Sequence, residues 1–204
     1  MGRCRNKRTI VGIRRRLSFC PASSETLRTM QSNLYFICPF SHLEPYLREQ
    51  VGGNHLFATA MAGIPPLQDQ RYCLEIAGIL RRNRVKQIVL VNDTGCRFLQ
   101  GVMQKEEGGD MPCERQLRRL FSEFLLEILV RGTMEKQLKC FAVINLIEQA
   151  RRLVRSDVLG PLIKEQDIRL TGMVTNRSAG SVTSFRISNT LLTNGLSGNR
   201  LQPN

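Results

Sequence analysis

The sequence predicts an α/β fold, a mainly parallel sheet of four to five strands flanked by helices. Three stretches carry that expectation. Asn33 to His42 (NLYFICPFSH) is an apolar strand running into a cysteine, a proline and a polar turn. Val85 to Arg97 (VKQIVLVNDTGCR) repeats the design, a buried strand followed by a turn that ends in cysteine. Between them Tyr72 to Asn83 (YCLEIAGILRRN) reads as an amphipathic helix. Strand, helix, strand in this order implies a right-handed crossover and parallel pairing. Ligands in such folds sit beyond the carboxyl ends of the strands, where both thiols fall.

The chain divides into a basic N-terminal arm, residues 1–32, one domain over 33–187, and a polar tail over 188–204 expected to be disordered. Its 204 residues, 42% hydrophobic, suffice for a single α/β core. No apolar run approaches the roughly 20 residues needed to span a bilayer, so a soluble protein is expected. In order, the arm admits one helix over Ser23–Met30, and the first strand covers 33–38. A short helix over Glu44–Gln50 has Pro45 in its first turn. Gly52-Gly53 breaks the chain, and His55 to Ile64 is a second extended run closed by Pro65-Pro66.

The helix over Asp69–Asn83 places Tyr72, Cys73, Ile76, Ala77, Ile79 and Leu80 on one face. Val85–Val91 is the clearest buried strand, and Lys105–Asp110 is a loop. Helical spacing over Glu114–Val130 predicts one helix. A second, over Glu135–Arg155, carries an outer basic face of Arg151, Arg152 and Arg155. After Leu159-Gly160-Pro161 comes a short helix. Ile168–Thr175 and Ser181–Ile187 then form a hairpin through the Asn176–Gly180 turn. No internal repeat is visible.

Net charge is +13, and the first 16 residues hold seven cations and no acid. Such a block favours an anionic partner: an acidic protein, a nucleic acid or an anionic membrane surface. With Phe19 the one aromatic nearby, base stacking is poorly supported. The stripe Arg115, Arg118 and Arg119 reads equally well as a solvated face. The arm also suits an organelle transit segment, although a basic arm is the plainer reading. The seven cysteines are odd in number and irregular in spacing. They argue against a disulfide scaffold and for the cytoplasm or another reducing compartment. No CxxC pair supports a zinc knuckle.

Five short motifs in order carry a resemblance. They are Cys38-Pro39-Phe40-Ser41-His42, Ala60-Met61-Ala62-Gly63, Cys73-Leu74-Glu75-Ile76, Asn92-Asp93-Thr94-Gly95-Cys96, and Val143 to Ile147. They stand where C-x-D-x-R, R-N-A-G, S-L-E-Y, G-H-x-x-C and a V-x-x-Q-V-like helix stand in the β-class carbonic anhydrases. The chain resembles that family over residues 33–187. The resemblance implies a homodimer and a zinc held by Cys, His and Cys, with Cys38, Asp93 and Cys96 as the candidate ligands here. Zinc in such a site lowers the pKa of bound water toward about 7 to make an attacking hydroxide. A carboxylate beside two thiolates would make the metal a weaker Lewis acid. The family's Asp–Arg dyad falls at Phe40 and His42, and neither residue can do its work.

The expected function is therefore a carbonic-anhydrase-like protein with a degenerate zinc site. It would be non-catalytic and act as a structural or binding subunit with an acidic partner. The alternative is a zinc-dependent carbonic anhydrase, or a related lyase acting on carbon disulfide or carbonyl sulfide, with a Cys/Asp/Cys set. A redox or metal sensor built on Cys38 and Cys96 is a third reading. Plainer roles compete at each position. The two cysteines could be core packing, Asp93 a strand-end turn residue, and His42 a turn or capping residue rather than a substitute ligand. His55 could be a surface residue, and Glu75 the partner of a nearby arginine. An empty apolar pocket lined by Phe40 and Met61 would favour the non-catalytic reading.

Overall fold

The computed structural model describes residues 32–51, 55–105 and 109–193. Most of the expected arm with its Ser23–Met30 helix, the Gly52-Gly53 break and residues 194–204 of the tail lie outside them. Five strands form one sheet in the order β2-β1-β3-β4-β5. They are β1 (Asn33–Ile37), β2 (Leu56–Thr59), β3 (Gln87–Asp93), β4 (Arg169–Asn176) and β5 (Ser181–Arg186). β1 pairs in parallel with β2 and with β3, and β3 pairs in parallel with β4. β4 and β5 make the antiparallel hairpin expected from the sequence.

Strand alternation divides the core into two layers. Leu34, Phe36, Ile88 and Leu90 pack into the larger layer, with α2 (Gln70–Arg82), α4 (Pro112–Glu123) and α6 (Met134–Arg155). Tyr35, Ile37, Val89, Val91 and Met173 face the other side, against Leu43 and Leu47 of α1 (Leu43–Val51). α6 is buried along most of its length because its middle, Phe141 to Ile147, is apolar nearly all round.

Several expectations need correction. The helix over Glu114–Val130 is two helices, α4 and α5 (Leu125–Leu129), because Phe124 leaves helical geometry at φ −111°, ψ 26°. The extended run from His55 ends at Ala60, one residue beyond β2 and short of the expected Ile64. The chain then turns through Met61–Gly63, with Ala62 at φ 54°. A helix that the sequence reading lacked, α3 (Arg97–Met103), starts directly after Cys96. His55 is half-buried, its ring 5.3 Å from that of Tyr35, rather than a free surface residue.

The outer face of α6 is also not simply solvated. Arg151 turns inward and donates to the backbone carbonyls of Leu191 and Leu192. That contact ties down α8 (Asn189–Thr193), so the described start of the tail is folded rather than disordered. The connecting helix α7 (Leu159–Glu165) starts earlier than expected and takes in Leu159-Gly160-Pro161, with the proline in its first turn. No described helix is long and apolar enough to cross a membrane.

Candidate functional site

Cys38 follows the last residue of β1 in extended geometry and leads into a single 3-10 turn, Pro39–Ser41. Cys96 occupies the N-cap of α3. Both thiols are buried in the larger core layer, at 1% and 3% exposure. They meet each other. The S–H of Cys96 donates to the Cys38 sulfur and pulls its pKa down to about 6, helped by the amides of Ala62 and Phe40 and opposed by burial. The same contact, with burial, pushes Cys96 far up. The two shifts are opposite in sign because each thiol acts on the other.

Asp93 does not join them. β3 stays a regular strand through Asp93, and side chains alternate across a sheet. Asn92 is on the α6 side, while Asp93 falls on the opposite face with Val89 and Val91. There its Oδ2 accepts from the Thr175 hydroxyl at 2.6 Å and its Oδ1 from the Gly95 amide at 2.8 Å. The Arg177 guanidinium lies 3.9 Å away. This buried carboxylate is satisfied by its own partners, as burial of a charge requires.

The dyad positions are equally committed elsewhere. Phe40 is 45% exposed, edge-on to Phe98 at 5.6 Å between ring centroids, with the Arg97 guanidinium 4.0 Å above its face. His42 is exposed, in left-handed geometry at φ 47°, and ends the 3-10 turn. The turn-residue reading of His42 describes it better than the ligand reading.

The donor set consequently does not fit a zinc ion. Among the described residues, no three His, Cys, Asp or Glu side chains form a group that could hold a metal. The reason is geometric: two thiols face one side of the sheet and the carboxylate the other. Glu75 keeps its plain role, a surface pair with Arg71 at 3.3 Å.

The sequence reading missed a buried chain of amides. Asn92 and Asn145 both donate to the Ala62 carbonyl at 2.9 Å, and Asn145 donates to the Asn92 side chain at 2.9 Å. Gln149 donates to Asn145, and Arg152 Nη1 donates to both Gln149 and Gln116 at 2.8 Å. Gly63, at φ 74°, is required where this chain meets the β2 turn, since a Cβ there would sit 2.5 Å from the Asn92 amide. Asn145 and Gln149, four residues apart in an apolar helix, were the available signal.

No protein-family model matches this sequence, and no curated protein is similar to it by sequence. Solved structures are similar in fold. The β-carbonic anhydrase CafA of Aspergillus fumigatus matches with a TM-score of 0.67 at 18% identity, over 80% of each chain. One of two tetrameric β-carbonic anhydrases from Sordaria macrospora gives 0.64 at 16%, over 76% of this chain and 81% of its own. A Coccomyxa β-carbonic anhydrase in complex with acetazolamide gives 0.59 at 13%, over 76% and 72%. The chain has a β-carbonic-anhydrase-like fold.

Proposed function

We propose that this chain is a non-catalytic carbonic-anhydrase-like protein, a structural or binding subunit that works as a homodimer. One observation carries the reading: Asp93 is bound to Thr175 and Gly95 on the face of the sheet away from Cys38 and Cys96. The alternative, a zinc lyase using Cys38, Asp93 and Cys96, needs that carboxylate to leave both hydrogen bonds and turn toward the thiols. The homodimer rests on the resemblance. An acidic protein or nucleic acid as partner rests on the net charge of +13 and the run of cations in the first 16 residues.

The test is stopped-flow carbon dioxide hydration by the purified chain, with and without added zinc. The expected result is the uncatalysed rate in both. A faster rate that disappears in Cys38→Ser would overturn the reading, because fold alone does not decide activity.

A further inference from the structure

A cavity of about 310 Å³ opens beyond the carboxyl ends of β1 and β2, between the turn after Cys38 and the start of α4. Its walls are apolar, built from Pro39, Met61, Pro65 and Met111 among others. Phe40 is not among them, so the pocket differs from the one expected from the sequence. Thr59, Gln68, Gln116 and Arg152 also line the cavity, and the last two are hydrogen-bonded to each other. Among the described residues no acidic side chain lines the cavity.

Arg152 can only donate, so the Gln116 oxygen must face it, and the contact is 2.8 Å. That leaves the Gln116 Nε2 buried and without a partner among the described residues. A buried donor left unpaired is costly unless a ligand meets it. The Arg152 guanidinium is held by amide oxygens of Gln116 and Gln149 and not by a carboxylate. The nearby acid, Glu148, lies 3.6 Å from Arg151. Burial disfavours the charged form of Arg152 and the positive Arg119 does so further, with Glu148 opposing. An anion placed here would relieve both penalties.

We propose that this cavity binds a small organic carboxylate with an apolar body, its head on Gln116 Nε2 and Arg152 and its body against Pro39, Met61 and Met111. The volume stands at the lower end of the range for small-molecule sites, about 300–1,000 Å³, and suits a body of a few carbons. A planar carboxylate has two acceptor oxygens, one for the Gln116 amide and one for the Arg152 guanidinium. A bare inorganic anion would leave the apolar walls without contact. The proposal goes beyond the non-catalytic reading and does not require it, since neither thiol takes part.

The test is calorimetric titration of the full chain with hexanoate and with benzoate, alongside neutral hexanamide and inorganic phosphate. Expected is saturable one-to-one binding of at least one carboxylate, at least tenfold tighter than hexanamide or phosphate. Arg152→Met should weaken it at least tenfold. Met61→Trp, which fills the apolar part and leaves both donors in place, should abolish it with the circular dichroism unchanged. Lack of saturable binding, equal binding of hexanamide, tighter binding of phosphate, or full binding by a folded Met61→Trp protein would each overturn the proposal. Carbon dioxide hydration is scored separately, so failure here and failure of the non-catalytic reading are distinguishable.

Discussion

The Arg97 guanidinium sits 4.0 Å from the centroid of the Phe40 ring and 4.9 Å from that of Phe98. The turn after Cys38, where the resemblance expects a carboxylate paired with an arginine, thus holds an aromatic face covered by a cation. Such a contact is worth about 0.5–1 kcal/mol at an exposed site. A double-mutant cycle of Phe40→Ala and Arg97→Ala, read from urea midpoints, should give a coupling of that size. A coupling near zero would reduce the contact to coincidence.

Thr175→Val removes the hydroxyl that holds Asp93 Oδ2 at 2.6 Å. A buried carboxylate oxygen then loses a partner, at a cost of about 1–3 kcal/mol. Equilibrium urea unfolding should show the loss, and it should be smaller when Asp93 is also changed to Asn.

Asn145 joins Asn92, the Ala62 carbonyl and Gln149 in one buried chain. Asn145→Leu keeps the branched shape of the side chain but strands the Asn92 oxygen and the Gln149 amide. The expected cost is about 1–3 kcal/mol for each stranded group, seen as a lower denaturant midpoint with unchanged slope.

With no metal on the thiols, the pair makes stability depend on pH. The folded pKa of Cys38, about 6, lies below its ordinary value of 9.0. Between these two the unfolded chain holds more protons, so stability rises with pH. Cys96 is shifted the other way, so above 9 the folded chain retains a proton that the unfolded chain has released, and stability falls. Urea midpoints should peak near pH 9, and Cys38→Ser should flatten the peak.

Reversal of Arg14, Arg15 and Arg16 to glutamate lowers the arm's positive charge and should weaken retention on a polyanion column. The salt dependence of binding should become shallower, because fewer counterions are released. Unchanged retention would remove the arm from the partner hypothesis.

The fold was legible because β1 and β3 are short apolar runs with thiols at their ends, and the helix between them has a clear 3.6-residue stripe. The break at Phe124 was not legible, since Leu125 and Ile128 continue the apolar spacing that the backbone interrupts. The site was half legible. Cys38 and Cys96 do come together, but spacing in sequence says nothing of which side of a strand a residue takes. One further residue of regular β3 is enough to send Asp93 to the opposite face, where it meets Thr175 in register. Arg151 and Arg152 were misread because a charge on a helix is usually solvated, and only the tertiary fold brings Leu191, Leu192 and Gln116 to them.

The most direct test of the central claim is zinc content by elemental analysis, on chain purified under reducing conditions and equilibrated with zinc. A degenerate site predicts far less than one zinc per chain, and no change in Asp93→Asn. About one zinc per chain, lost in Cys38→Ser, Cys96→Ser and Asp93→Asn alike, would show that the carboxylate does reach the thiols and would contradict it.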